Sequence, residues 1–165
     1  MKPKAIFTES QKFRQWWIWM IIIALLVIPG IGIYMQIFRG VQFGNNPMSN
    51  TGLLAYFAAT VLFILFFLMM RLKTAISTQE IHLRFVPFVN KHILWSEVEK
   101  AEVINYGFVG GWGIRWWTSY GTVYNMKGSM GLSLELKSGK KMVIGTQKAE
   151  ELKKVVEEIR KNQTR

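Results

Sequence analysis

Residues 17–38 read WIWMIIIALLVIPGIGIYMQIF, residues 53–70 read LLAYFAATVLFILFFLMM, and neither stretch contains a charged residue. A hydrocarbon core about 30 Å thick is crossed by roughly 20 helical residues. Because backbone groups in lipid must form hydrogen bonds within their own segment, both stretches are predicted to be helices. A buried helix of a soluble protein is the competing interpretation, and two uncharged segments in a chain of 165 residues disfavour it. The sequence therefore predicts transmembrane helices at residues 16–38 and 53–70.

Positive charge is concentrated at the open end of this hairpin. The basic residues that flank the open end are Lys2, Lys4, Lys12, Arg14, Arg71 and Lys73. The connecting loop, residues 39–52, contains Arg39 as its one basic residue. Cytoplasmic loops of membrane proteins carry the excess of Lys and Arg. We therefore expect the N-terminal segment (1–15) and the region 71–165 to lie in the cytoplasm, with the loop outside.

Pro29, Gly30 and Gly32 interrupt the first apolar stretch. Proline removes a backbone donor and bends a helix. The two glycines would permit a close helix–helix contact or pairing with a second copy of the chain. The sequence favours a tolerated kink over a functional hinge or a close helix–helix contact, and it leaves the oligomeric state open.

The region after the second helix has the period-two pattern of β-strands. Apolar and polar residues alternate at residues 81–85 and again at 132–136. A turn at Ser138 and Gly139 followed by apolar residues 141–144 completes a hairpin. Weaker strand patterns occur at residues 75–77, 92–95, 100–106, 113–117 and 122–126.

The last predicted element is an amphipathic helix. Thr146 is a good N-cap, and Glu150 and Glu151 favour the first turn because of the helix dipole. The residues of its apolar stripe are Ala149, Leu152, Val155, Val156 and Ile159. Together these elements predict about seven antiparallel strands in a sandwich or partly open barrel, with one C-terminal helix over an open end.

The segments that suggest a family are TAISTQEIHLRFVPF (74–88), ILWSEVEKAEV (93–103), GGWGIR (110–115) and IGTQKAEEL (144–152). Their order after a two-helix hairpin resembles the bacterial membrane-anchored proteins that carry a pleckstrin-homology-like (PH-like) domain. The resemblance covers the second helix and nearly all of the region after it. It implies a PH-like fold in a protein of the bacterial inner membrane. It implies no defined activity, because PH-like folds serve many unrelated tasks.

Basic and aromatic residues of this region are candidates for binding an anionic headgroup or a protein partner. They are Arg84, Trp112, Arg115, Trp116, Trp117, Lys127, Lys140 and Lys141, with Tyr120 nearby in sequence. Exposed aromatic side chains beside cations suit the lipid interface. The competing interpretation packs the tryptophans inside the sandwich and leaves the cations as a solvated surface, and the sequence slightly favours it.

Catalytic chemistry has little support in the sequence. The run GFVGGWGIRWW (107–117) matches no phosphate-binding glycine motif, and a loop with positive φ angles explains it better. His82 and His92 are the only histidines in the chain, and their spacing does not require that they meet. Aspartate and cysteine are absent from the sequence, so we expect neither an enzyme nor a metal or cofactor site.

The formal net charge of the chain is +11. Its basic residues are spread over strands and the last helix, whereas nucleic-acid recognition gathers them on one element, so we expect no nucleic-acid partner. A membrane protein also has a nearer anionic partner in the lipid headgroups. The sequence favours a membrane-anchored binding or scaffold module that engages a protein partner. Binding or sensing of anionic lipid at the inner leaflet is the alternative.

Overall fold

The computed structural model describes residues 4–163, so Lys2, which the topology argument uses, lies outside the described residues. The described chain divides into two compact units. One unit is the helical segment Arg14–Met69. The other is β-rich and combines the residues up to Phe13 with the residues from Met70 onward. The β-rich unit is therefore assembled from both sides of the helical segment.

The helical unit contains two long apolar helices. Helix α1 (Trp16–Ile33) continues into a π-helical turn (Tyr34–Phe38), and helix α2 covers Asn50–Met69. The spans Trp16–Phe38 and Asn50–Met69 are 23 and 20 residues long, which is long and apolar enough to cross a membrane. Helix α2 begins before the apolar stretch because Ser49 caps it, accepting hydrogen bonds from two backbone N–H groups of the first turn.

The two helices contact each other through a glycine. A methyl group at Gly32 would come within 2.9 Å of the Phe43 ring and 3.1 Å of the Leu53 side chain. At the closed end, the Gln36 side-chain amide donates hydrogen bonds of 2.7 Å to the Met48 carbonyl and to the Asn50 side chain. Gly32 therefore permits close packing inside the hairpin. The sequence favoured a tolerated kink at this position instead.

The β-rich unit contains nine strands in its described residues, arranged in two sheets. The four-stranded sheet A has the order β1 (Phe7–Gln11), β2 (Arg71–Ile76), β3 (Glu80–Val86) and β4 (Val89–Leu94). The five-stranded sheet B has the order β5 (Val98–Asn105), β8 (Met130–Leu136), β9 (Lys141–Gly145), β7 (Gly121–Asn125) and β6 (Gly113–Thr118). A single 3₁₀ turn, Trp95–Glu97, connects β4 to β5.

The core lies where the predicted alternation places it. Ile81, Leu83 and Phe85 of β3 are fully buried, while the residues between them face outward. Helix α3 (Ala149–Gln163) buries Leu152 and Val156 of its apolar stripe. The N-cap prediction is wrong, because α3 begins at Ala149 and the Lys148 carbonyl accepts its first helical hydrogen bond. The Thr146 hydroxyl instead accepts a hydrogen bond of 3.0 Å from the Lys148 N–H in the turn before the helix.

The sheet pairing differs from the prediction of about seven antiparallel strands. Strands β7 and β9 are parallel, with Val123 opposite Val143. Strand β8 forms the predicted antiparallel hairpin with β9. The short connection after Asn125 links β7 to β8, which are not neighbours because β9 lies between them. An alternation of apolar and polar residues specifies which face of a strand is buried but not which strand lies beside it. The entirely antiparallel arrangement was therefore wrong.

Strand β1 comes from the segment 1–15 that precedes the first apolar helix. It pairs antiparallel with β2, with Phe7 opposite Ile76 and Gln11 opposite Leu72. The Gln11 side chain donates a hydrogen bond of 2.7 Å to the Gly145 carbonyl at the end of β9. The N-terminal segment thus completes sheet A and is also bonded to the end of β9 in sheet B.

Candidate binding site

A pair of tryptophans protrudes from the edge of sheet B. Trp116 and Trp117 lie on the edge strand β6, where the pairing with β7 is interrupted between Arg115 and Thr118. Their exposed fractions are 60% and 97%. Trp117 has a φ of +58°, which is unusual for a residue with a side chain. Such backbone strain is found mostly at functional sites, so we treat this Trp bulge (Trp116 and Trp117) as the main candidate.

The chain after the Trp bulge is fixed by a tight turn. The Thr118 hydroxyl donates a hydrogen bond of 2.7 Å to the Gly121 carbonyl and accepts one of 3.1 Å from the Tyr120 N–H. Tyr120 packs against a buried cluster that includes Val123 and Val143. The bulge is therefore presented by a well-anchored hairpin, and the side chains of the two tryptophans, with ring centroids 6.5 Å apart, point away from it.

The glycine-rich run forms a loop followed by β6, as its pattern predicts. Gly107 and Gly111 both have positive φ angles. A buried amide anchors the loop, because Asn125 Nδ2 donates hydrogen bonds to the Tyr106 hydroxyl (3.2 Å) and the Gly111 carbonyl (3.4 Å). Burial raises the pKa of Tyr106, and the hydrogen bond from Asn125 acts in the opposite direction. These contacts give the loop a structural role.

Trp112 and Lys127 lie at the loop end of sheet B, opposite to the Trp bulge. Trp112 is half-buried, and its ring meets Phe108 edge-on with centroids 6.5 Å apart. Lys127 is exposed in the link after β7. Phe108 is 79% exposed and was not among the predicted site residues. Its position in a glycine-rich loop was the available signal, since such loops are at the surface.

The cations near the Trp bulge are partly occupied by other contacts. The Arg115 guanidinium lies against Gly111, where a methyl group would overlap it. Lys141 Nζ donates a hydrogen bond of 2.8 Å to Glu135, which raises the pKa of Lys141 and lowers the pKa of Glu135. Lys140 is exposed in the adjacent β8–β9 turn. The bulge therefore has an aromatic surface with a modest local positive charge.

Arg84 lies on the other sheet, on the outer face of sheet A. It is directly opposite Lys73 of β2 and Asn90 of β4. Arg71, at the start of β2, is on the same face. In the described part of the chain none of these three cations forms an ion pair within 4 Å. The predicted residues therefore divide among three places, which are the Trp bulge and the loop end of sheet B and the outer face of sheet A.

The two histidines meet on this outer face, although the sequence did not require it. His82 and His92 are cross-strand partners, and their rings stack with centroids 4.0 Å apart. His82 Nε2 lies 2.6 Å from Asn90 Oδ1, and His92 Nδ1 lies 3.0 Å from Glu80 Oε2. Among residues 4–163, no group of three His or Glu side chains is arranged to hold a metal ion.

Comparison with models of protein families and with curated proteins finds no match to this chain. The likeness to membrane-anchored PH-like proteins therefore depends on the order of the elements and on the quoted segments. The local geometry of the Trp bulge and of the outer face of sheet A is the basis for the functional proposals.

Proposed function

We propose that this chain is an integral protein of the bacterial inner membrane whose β-rich unit is a cytoplasmic PH-like module that binds a protein partner. The anchor is formed by α1 and α2, whose lengths match a bilayer core. Both helices expose large apolar side chains along their lengths, including Ile21, Leu62 and Leu65. Such surfaces are costly in water and suited to lipid.

Strand pairing supports a common side for both ends of the anchor. Strand β1 directly precedes α1, and strand β2 directly follows α2. Because β1 and β2 pair with each other, the chain must enter and leave the membrane on the same side. Lys12, Arg14, Arg71 and Lys73 lie at this side, and the positive-inside rule assigns it to the cytoplasm.

The Trp bulge is the observation that carries the proposal of a protein partner. Tryptophan is the residue type most enriched among side chains that dominate binding energy at protein interfaces. Strand β6 also presents a free backbone edge, which an extended peptide can join as an added strand. We therefore propose an extended segment of a partner protein as the occupant, with its backbone on β6 and its apolar side chains on Trp116 and Trp117.

Lipid is the weaker candidate at this surface. A lipid-binding aromatic surface gains affinity from free cations beside it, each worth about 1 kcal/mol near an anionic leaflet. Here Lys141 is bonded to Glu135, and Arg115 is folded against Gly111. The edge strand and the tryptophans are better suited to a peptide.

Photo-crosslinking in cells tests this proposal. Ser119, in the turn beside the Trp bulge, and Thr78, in the exposed β2–β3 turn of sheet A, are each replaced by benzoylphenylalanine in the full chain. We expect a discrete protein adduct from position 119 and a much weaker one from position 78. The double substitution Trp116→Ala and Trp117→Ala should lower the adduct from position 119 at least about tenfold, since each hot-spot tryptophan is worth about 2 kcal/mol.

Phe88→Ala is the matched control, because Phe88 is another aromatic side chain with more than half of its surface exposed. This variant should leave the crosslinking unchanged. Adducts with lipid alone, or a protein adduct indifferent to the loss of both tryptophans, would contradict the proposed partner.

A further inference from the structure

The outer face of sheet A collects cations, hydroxyls and an amide in two cross-strand rows. One row runs Ser10, Lys73, Arg84 and Asn90 across β1 to β4, and the next runs Thr8, Ala75, His82 and His92. The small side chain of Ala75 leaves a shallow open groove between the two rows. Its lining includes Thr8, Ser10, Lys73, Ala75, His82 and Arg84.

The central pair of this face is electrostatically unfavourable in the isolated chain. Lys73 and Arg84 are exposed cations directly opposite each other on neighbouring strands. Like charges in this position destabilise a sheet. The nearest acid of the face, Glu80, is already bonded to His92, and Glu9 of β1 is directed to Thr146. No carboxylate of the described face therefore neutralises the repulsion between Lys73 and Arg84, and an external anion would relieve it.

The position of these cations in the chain indicates where the anion comes from. Arg71 is two residues and Lys73 four residues beyond the last residue of α2. Even a fully extended chain places Lys73 within about 14 Å of the helix end. Headgroups occupy roughly 5–8 Å on each side of the hydrocarbon core, so Arg71, at most about 7 Å from the helix end, lies at their depth. Lys73 lies at most about 6 Å beyond this layer, a distance that its four-carbon stem can span.

We propose that the outer face of sheet A docks on anionic phospholipid headgroups of the bilayer that contains α1 and α2. Lys73 and Arg84 bind the phosphate, and the Ser10 and Thr8 hydroxyls and the Asn90 amide donate to its remaining oxygens. His82, which stacks on His92, lines the groove beside Ala75. This inference depends on the proposed membrane anchorage and is independent of the protein partner, since the Trp bulge is on sheet B.

Acetylation of the wild-type full chain in lipid nanodiscs tests the inference. Discs of phosphatidylcholine are compared with discs that also contain phosphatidylglycerol, and the rate of acetylation is measured at each lysine by mass spectrometry. We expect anionic discs to protect Lys73 severalfold, and to leave Lys153 and Lys154 unchanged because they lie on the exposed face of α3. Elution of the chain together with the discs tests the anchorage separately.

Two substitutions test the site itself. Arg84→Gln should reduce the protection of Lys73 about fivefold, because one cation near an anionic leaflet is worth about that factor. Ala75→Leu fills the groove without a change in charge and should also reduce the protection. Lys154→Gln, which changes the net charge as Arg84→Gln does, should have no effect.

Several outcomes would overturn the proposal. Equal acetylation of Lys73 in both kinds of disc would do so, as would equal effects of Arg84→Gln and Lys154→Gln. Protection of Lys73 by inorganic phosphate in neutral discs would assign the groove to a free anion instead of a headgroup. Loss of the chain from the discs would instead contradict the anchorage.

Discussion

A chain that begins at Arg71 should fail to fold, whereas the first thirteen residues joined by a short linker to the region from Met70 onward should fold as a soluble domain. The reason is strand β1, which supplies Phe7 to the core at an exposed fraction of 1%. Truncating a buried phenylalanine to alanine alone costs about 3–5 kcal/mol. Deletion of the strand also removes its pairing with β2.

Polar contacts of β1 add to this loss. The Glu9 carboxylate accepts a hydrogen bond of 2.6 Å from the Thr146 hydroxyl and one of 2.8 Å from the Gln147 N–H, at the start of α3. Each such bond contributes about 1 kcal/mol or more. The total approaches the 5–15 kcal/mol that stabilises an ordinary domain, so the shortened chain should be largely unfolded.

The soluble version is made by replacing residues 14–69 with a short glycine–serine linker. The linker is sufficient because Gln11 is opposite Leu72, which brings the two ends together. Thermal melting followed by near-ultraviolet circular dichroism should be cooperative for the linked chain and absent for residues 71–165. Within the linked chain, Phe7→Ala should lower the melting temperature strongly, and Ile6→Ala, at a half-exposed neighbour, should not. Cooperative melting of the shortened chain at the same temperature would contradict this role of β1.

Gly121→Ala should destabilise the β-rich unit by about 2–5 kcal/mol. Gly121 has a φ of +77°, where a side chain is strained. An added methyl group would also overlap the Lys141 carbonyl oxygen, which is a backbone atom on the neighbouring strand β9. This close approach results from the parallel pairing of β7 and β9, so the substitution tests that pairing.

Gly139→Ala is the matched control for this effect. Gly139 has a φ of +80°, but a methyl group there would have no atom within 4 Å. This variant should lose only about 1–2 kcal/mol of unfolding free energy, because the side chain is strained at a positive φ but overlaps no other atom. Urea unfolding of the full chain in detergent measures both free energies. Equal losses for the two substitutions would mean that β7 and β9 are not adjacent as described.

Strands whose two faces differ in polarity could be predicted from the sequence. Leu132 and Leu134 are both buried on β8, in agreement with the alternation pattern. The terminal helix followed from its apolar stripe, although it begins three residues after the predicted cap Thr146. These predictions succeeded because each depends on local periodicity alone.

Strand β1 could not be predicted in this way. Its inward-facing residues include Glu9 and Gln11, which bond to Gln147 before α3 and to Gly145 at the end of β9 instead of packing in an apolar core. The strand therefore resembles a polar segment in the sequence, and its partner β2 is separated from it by the whole helical unit Arg14–Met69. Periodicity contains no signal for such a distant pairing.

The two candidate surfaces depend on which residues of neighbouring strands lie opposite each other, and the sequence does not specify this register. His82 meets His92 because Phe85 pairs with Val89, and a connection shorter by one residue would have moved one histidine to the opposite face. The exposure of Trp116 and Trp117 results from an interruption of pairing within β6. A regular strand would have directed one of the two tryptophans inward, as the interpretation favoured by the sequence assumed.

The central claim is that both ends of the membrane hairpin enter one domain on the cytoplasmic side. The natural chain has no cysteine, so single cysteines at Ala5, Asn45 and Ser138 can be labelled in spheroplasts with a membrane-impermeant maleimide. We expect labelling of position 45 in intact spheroplasts and of positions 5 and 138 only after permeabilisation. Labelling of position 5 or 138 in intact spheroplasts, or equal labelling of all three there, would contradict this topology.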